Sequence, residues 1–196
     1  NYLTNISWSP DEIYIYIAKI NREQNHMWLE RYNAETGALD KVLFEEKNDR
    51  YVEPTEGLLF MPNDANKFLW LSQRDGYKHI YLYDIEGNLI KQVTKGDYEV
   101  QSIIGFDAKA EKVFFYSNIE NPMERAAYSV DIKTGDVARI TTAKGTHSII
   151  ANAKGDMFID MYSSTTVPYQ ALLVSGKGKT IREIHTSPNP MAKYKM

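Results

Sequence analysis

Residues 72–96 read SQRDGYKHIYLYDIEGNLIKQVTKG, and the punctuation of that stretch decides the fold. Arg74-Asp75-Gly76-Tyr77 predicts a tight turn, because Asp-Gly supplies the positive φ that a hairpin demands. Over 79–84 the side chains alternate, with Ile80 and Leu82 on one face and His79, Tyr81 and Tyr83 on the other. That is the period-2 signature of a strand. Ile85-Glu86-Gly87-Asn88 turns the chain again, 89–94 runs back, and 68–71 supplies the strand before. The unit is an antiparallel meander in which Tyr77, Tyr81 and Tyr83 are expected to be structural.

Working outward, the same order recurs four times. The first meander takes strands at 1–8, 13–20, 26–33 and 40–45, and the second takes 57–61, 68–72, 79–84 and 89–94. The third takes 100–107, 112–117, 126–131 and 137–141, and the fourth 147–152, 157–162, 170–174 and 180–184. A turn glycine precedes each last strand, at Gly37, Gly87, Gly135 and Gly178, and first-strand anchors fall at Trp8, Phe60, Phe106 and Ala151. The intervals are about 43 to 52 residues, a period that suits four-stranded propeller blades. An ordinary β-sandwich with chance spacing is the alternative, but turn, anchor and strand order recur together. The expected blades are 1–47, 57–96, 100–144 and 147–186 within a partial propeller over 1–187. Residues 188–196 open a linker, since Pro188 and Pro190 cannot continue a ladder.

Composition narrows the function classes. The 196 residues carry 23 Lys and Arg against 26 Asp and Glu, net −3, so the basic excess of a nucleic-acid binder is missing. No run approaches the roughly 20 apolar residues that span a membrane. There is no cysteine, which removes disulfides and thiolate metal sites and leans toward a bacterial source. The chain opens at Asn1 already in a strand pattern, and reads as a piece excised from a longer protein.

Chemistry-bearing motifs are few. No serine sits in a G-x-S-x-G elbow. His26, His79, His147 and His185 are scattered over different blades, and His26 and His79, near third-strand starts, suit partly exposed structural roles. Asn63-Asp64-Ala65-Asn66 echoes a calcium loop but lacks its ligand run and reads as a turn. Asp156 and Asp160 flank one strand with no supporting partner in sequence, and Lys177, Lys179 and Arg182 read as solvated. Asn5-Ile6-Ser7 matches a glycosylation acceptor inside a predicted strand. No catalytic residue, metal or cofactor is therefore assigned. The polar loop over 48–56 is the functional candidate. In it Tyr51, Glu53 and Glu56 are expected to face substrate, and the two glutamates suit a cationic group such as a free amino terminus; a plain soluble loop is the competing reading.

Several details in linear order carry a family resemblance. Arg74-Asp75-Gly76-Tyr77-Lys78-His79-Ile80-Tyr81-Leu82-Tyr83 is followed by Thr94-Lys95-Gly96-Asp97-Tyr98-Glu99-Val100, then Tyr116-Ser117-Asn118, then Tyr128-Ser129-Val130. The series resembles the second half of the propeller of the dipeptidyl peptidase IV family, within the prolyl oligopeptidase superfamily. The resemblance implies half of an eight-bladed β-propeller that walls and gates the substrate chamber of a periplasmic or extracellular serine exopeptidase. Such enzymes release Xaa-Pro or Xaa-Ala dipeptides from peptide amino termini. It implies that the Ser, Asp and His lie beyond Met196 and the paired glutamates for the amino group before Asn1, so that this chain alone is inactive. The loop reads Tyr51-Val52-Glu53-Pro54-Thr55-Glu56, without the Arg-Phe pair that some members place there. A periplasmic propeller that binds protein partners and has no catalytic domain is the alternative. Faces carrying Ile13, Ile15, Ile17, Trp28, Met157, Ile159 and Leu172 predict self-association of the chain.

Overall fold

The computed structural model describes residues 1–190. The part of the expected linker from 191 onward lies outside the described residues. Two compact units divide the chain, residues 1–97 and residues 98 onward, each built from two four-stranded sheets.

In the first unit, β1 (Tyr2–Trp8), β2 (Tyr14–Ile20), β3 (His26–Asn33) and β4 (Leu39–Lys47) form one sheet, in chain order. The second sheet holds β5 (Leu59–Met61), β6 (Asp64–Ser72), β7 (His79–Asp84) and β8 (Leu89–Gln92). The second unit repeats the scheme. One sheet holds β9 (Val100–Phe106), β10 (Lys112–Ser117), β11 (Ala126–Asp131) and β12 (Val137–Arg139). The other holds β13 (Thr146–Ala151), β14 (Met157–Ser163), β15 (Gln170–Ser175) and β16 (Thr180–Thr186). All pairs are antiparallel neighbours in sequence, and no helix occurs among the described residues. The chain is all-β: four consecutive four-stranded antiparallel blades, half the complement of an eight-bladed β-propeller.

The turn before each last strand is built four times from one recipe. A polar residue closes the third strand and its side-chain oxygen accepts backbone N–H groups of the turn, as Asn33 does from Glu35 and Thr36 and Asp131 from Lys133 and Thr134. Asp84 accepts from Glu86 and Asn88 in the same way. The glycine that follows then takes a left-handed φ: 69° at Gly37, 87° at Gly87, 82° at Gly135 and 79° at Gly178. Such a φ disfavours any residue with a Cβ.

Each unit keeps its core between its two sheets. In the first, Tyr16, Met27 and Leu29 meet Phe68, Trp70 and Tyr83. Tyr83 stacks on Phe44 at 4.5 Å and on Phe68 at 5.7 Å. In the second, Phe114 meets Phe158 edge-on at 5.0 Å, with Ile140 and Ile149 alongside.

Several expectations need correction. Trp8 is 56% exposed and anchors nothing, because its strand partner is Ile15, on the face turned away from Tyr16 and Ala18. Tyr77 is 40% exposed in the β6–β7 turn, whereas Tyr81 and Tyr83 are buried, as are Ile80 and Leu82. His79 is fully buried rather than partly exposed. Its ring nitrogens meet Thr94 Oγ1 at 3.1 Å and the Gly96 carbonyl at 3.0 Å. Asp64, Ala65 and Asn66 belong to β6, so the turn is only Pro62 and Asn63. The ladders of β8 and β12 stop two residues early. There Thr94 and Thr141 accept, through their hydroxyls, the N–H groups of Ile80 and Ala127 that a continuing strand would have taken.

Asp160 is not a flanking group but lies inside β14, buried against His147 of β13. Its carboxylate sits 2.8 and 3.0 Å from Nδ1, and the Ala143 carbonyl sits 2.9 Å from Nε2. A carbonyl only accepts, so Nε2 carries a proton, and Nδ1 shares the other with the carboxylate. The pair staples two strands to the residue 143 loop. It is occupied structurally on every polar atom of the ring.

Candidate functional site

The loop after β4 is held in place by the first sheet. Asn48 N–H donates to the Asn25 carbonyl at 3.0 Å and Val52 N–H to the Gln24 carbonyl at 2.7 Å. Asn5 sits at a bulge of β1 with φ of 53°. Its amide donates at 2.9 Å to the carbonyls of both Pro54 and Glu56. That amide is therefore a loop clamp, and the glycosylation match at Asn5-Ile6-Ser7 falls on a nitrogen already engaged. A Cβ at Gly57 would stand 2.6 Å from Ser7 Oγ, so that hydroxyl would have to turn aside.

Between this loop, the end of β4 and the β6–β7 turn lies a cavity of about 190 Å³. Glu45, Glu46 and Lys47 line it from β4; Tyr51, Glu53 and Pro54 from the loop; Leu71, Ser72, Arg74 and Lys78 from the second sheet and its turn. A second, more open cleft of about 410 Å³ lies on the other side of the loop, lined by Tyr2, Thr4, Ile20 and Gln24. Tyr51, Val52, Glu53 and Pro54 belong to both walls.

Most of the charge around the cavity is matched internally. Glu46 accepts from the Trp70 indole N–H at 3.0 Å and from Arg74 at 2.6 Å. Arg74 also donates to Ser72 Oγ at 3.0 Å and lies over the Tyr81 ring at 4.5 Å. Burial works against its charge, but the Glu46 carboxylate and the Tyr83 hydroxyl together outweigh that and raise its pKa. Glu45 is bound by His26 at 2.6 Å and by Lys47 at 3.2 Å, and those two bonds hold its carboxyl below the usual range. Only 9% of Lys78 is exposed, so its stem packs against the cavity wall.

The structure thus brings Tyr51, 54% exposed, and Glu53 together on the cavity wall. Glu56 lies beyond it, with its backbone carbonyl taken by Asn5. Arg74, Glu46 and Lys78 were missed from the sequence as cavity groups. Arg74 and Lys78 stand in the Asp-Gly turn already singled out, but a turn motif does not say that its flanks meet a loop some 25 residues earlier. For catalysis the arrangement offers little. His185 reaches Ser187 Oγ at 3.2 Å, but the ring is exposed and no carboxylate bond orients it among the described residues. Among the described residues no three of His, Cys, Asp and Glu converge as a metal ion needs. What the cavity can do is bind a small polar group.

A family model described as the dipeptidyl peptidase IV N-terminal region matches residues 1–169. A solved structure of a Bacteroides ovatus protein assigned as a dipeptidyl aminopeptidase IV superposes with a TM-score of 0.89 at 35% identity, covering 98% of this chain and 30% of that one. The Porphyromonas gingivalis dipeptidyl peptidase 4 structure gives 0.82 at 28% identity, covering 94% and 26%. A relative assigned as dipeptidyl peptidase 4 in Aspergillus flavus is 30% identical over 151 residues, 76% of this chain and 18% of the relative. The Arthroderma otae dipeptidyl peptidase 4 is 26% identical over 170 residues, 83% of this chain and 22% of the relative. The chain therefore spans about a fifth of the length of the curated relatives it matches. With most of its residues inside the family model, the chain belongs to the family of dipeptidyl peptidase IV N-terminal regions.

Proposed function

We propose that this chain is the non-catalytic propeller part of a serine-type dipeptidyl peptidase that releases Xaa-Pro or Xaa-Ala dipeptides from peptide amino termini. In this reading the propeller walls and gates the substrate chamber, and the loop bearing Tyr51, Glu53 and Glu56 faces the peptide. The observation that carries it is the pinned loop itself, which presents Tyr51 and Glu53 to a cavity on one side and a cleft on the other. An exposed carboxylate on a clamped loop suits a cationic group such as a peptide's amino end. Membership of the family supports the exopeptidase role. We place the parent enzyme in the periplasm or outside the cell, by the same likeness.

The test uses the complete enzyme and a Gly-Pro chromogenic substrate. Glu53→Gln is expected to raise KM several-fold with kcat little changed, the pattern of lost uniform binding. The 196-residue chain alone is expected to give no turnover above a buffer blank. An unchanged KM in the variant removes Glu53 from the substrate path, and turnover by the purified chain alone overturns the non-catalytic reading.

A further inference from the structure

The loop that carries Tyr51 and Glu53 alternates along its length. Tyr51, Glu53 and Thr55 are exposed, while Val52, Pro54 and Glu56 are partly buried. Each of the latter three is gripped through its backbone. Val52 N–H donates to the Gln24 carbonyl at 2.7 Å, and the carbonyls of Pro54 and Glu56 accept from the Asn5 amide at 2.9 Å each. Both gripping residues take an uncommon backbone conformation. With φ of 53° and 58°, Asn5 and Gln24 are two of the four non-glycine residues in the left-handed region among the described residues. At Asn5 the ladder gives way as well. Thr4 pairs with Ala18 and Ser7 with Tyr16, so Asn5 and Ile6 together face Ile17, the two-against-one count of a bulge. A bulge re-aims the side chain it carries, and backbone strain of this kind persists only where the surroundings hold it. The rotation of the amide is fixed too. Its Oδ1 accepts from the Thr4 hydroxyl at 3.2 Å, and its Nδ2 faces the two carbonyls, which can only accept.

We propose that Asn5 is a positioning residue for substrate recognition: its amide fixes the direction in which the loop offers Glu53 to a bound peptide. That Glu53 meets a peptide rests on the function proposed above; the grip on the loop rests on Asn5 itself. In an extended segment neighbouring side chains point opposite ways. Holding 52, 54 and 56 against the first sheet therefore turns 53 outward. Val52 is anchored twice, by its N–H and by packing on the core of the first unit. Pro54 is anchored by Asn5, and Glu53 lies between these two anchors. Without the second anchor the carboxylate is tethered on one side only, and a binding group out of place loses affinity although its chemistry is intact. Asparagine meets both demands of the position. It tolerates the left-handed region better than most residues, and it brings two donors to two carbonyls. Aspartate shares the tolerance and the shape but, when ionised, has no donor.

The test uses the complete enzyme and two variants. Asn5→Asp keeps the shape but sets a carboxylate oxygen against two carbonyls, and Asn5→Gly keeps the left-handed φ without the amide. Both are expected to raise KM for the Gly-Pro substrate about fivefold with kcat little changed. Release of the loop is read separately, by brief trypsin treatment and mass spectrometry of the cut after Arg50, an exposed loop residue. That cut should come several-fold faster in both variants. Gly37→Ala serves as the control for a merely structural effect. It strains the β3–β4 turn, at the end of the first sheet away from the His26–Lys47 pair that leads into the loop. It is expected to leave KM and the Arg50 cut as in the parent. Adding Asn5→Asp to Glu53→Gln should raise KM little further, because the carboxylate that Asn5 positions is then already gone. Unchanged KM in both Asn5 variants, an Arg50 cut no faster than in the parent, or an equal rise in KM with and without the Glu53 carboxylate overturns the proposal. The two readings fail differently. If Glu53→Gln raises KM and the Asn5 variants do not, this inference alone falls; if Glu53→Gln leaves KM unchanged, the substrate-facing role of Glu53 falls and this inference with it.

Discussion

At the scale of single residues, burial and partners decide what each side chain contributes. Tyr83 is buried, stacked between Phe44 and Phe68, with the Arg74 guanidinium 5.5 Å above its ring. Truncating it removes a large aromatic from the core of the first unit and leaves a cavity. Tyr83→Ala is expected to destabilise by roughly 3–5 kcal/mol in urea unfolding. A midpoint unmoved by the change would mean that the ring packs against nothing. Tyr32 gives a pH-dependent counterpart. Its hydroxyl donates to the Glu30 carboxylate, and that bond, with burial second, pushes its pKa up to about 12. The folded chain therefore keeps this proton while the unfolded chain loses it near pH 10. The stabilisation is whole below pH 10 and disappears as pH rises from about 10 to about 12. The fall in urea midpoint between pH 9 and pH 11.5 should be smaller in Tyr32→Phe than in the parent. An identical fall in both would assign the alkaline loss to other groups.

At the scale of elements, the turn glycines test how blades are joined. Gly37 and Gly87 hold equivalent turns with similar φ, so the intrinsic strain of adding a Cβ is similar, about 1–2 kcal/mol. Their surroundings differ. A Cβ at Gly37 meets open space, whereas one at Gly87 runs into the backbone of Leu43 in β4. Gly87→Ala should therefore cost clearly more than Gly37→Ala in unfolding free energy, and equal costs would mean that β4 yields freely. This contrast also marks the limit of what the sequence discloses. That Gly37, Gly87, Gly135 and Gly178 turn the chain is local chemistry, and the alternation of 79–84 is local too, so the meander was legible. Where β8 and β12 end was not, because Thr94 and Thr141 substitute hydroxyls for ladder groups only once the neighbouring strand is in register. The His147–Asp160 pair was hidden for the same reason: β13 and β14 set Ile149 opposite Asp160, which brings His147 onto the same face one step along. At the cavity, the loop carrying Tyr51 and Glu53 stood out by polarity, but Lys78 looks like any turn lysine until its burial is seen. Trp8 erred the other way, since an aromatic in a strand says nothing about which face will be covered.

At the scale of the whole molecule, what matters is apolar surface left in water. The first sheet turns Tyr16, Ala18, Met27 and Leu29 into the core of its unit. Cross-strand pairing puts Leu3 beside Lys19, Trp8 beside Ile15, and Tyr32 beside both Ile15 and Leu39, all on the opposite face. Leu3 is 62% exposed there, and Leu39 and Val42 are exposed with it. In the fourth sheet, Ile150 pairs with Ile159 and Ile159 with Leu173, on the face away from Phe158 and Asp160. Ile150 is 57% exposed, and Met157 and Ile159 are exposed too. Leu172 is the exception among the residues expected on such faces: it pairs with Asp160 and is buried. Scattered exposed leucines are ordinary, but contiguous apolar faces beyond a few hundred Å² mark association surfaces. Within the first face Glu30 is buried and satisfied by Lys19 and Tyr32, and the exposed Glu45 and Lys47 at its far end pair with each other. We propose that the chain self-associates through the outward face of its first sheet. Light scattering during size exclusion should show a mass above 22.6 kDa that rises with concentration in the micromolar range. Replacing Leu3 and Trp8 together by Lys should lower that mass toward the monomer, since two like charges would then face their copies across the contact. A monodisperse monomer in the parent chain would sink the proposal. Association unchanged in the double variant would move the contact to the Ile150 and Ile159 face, where the same substitution can be repeated.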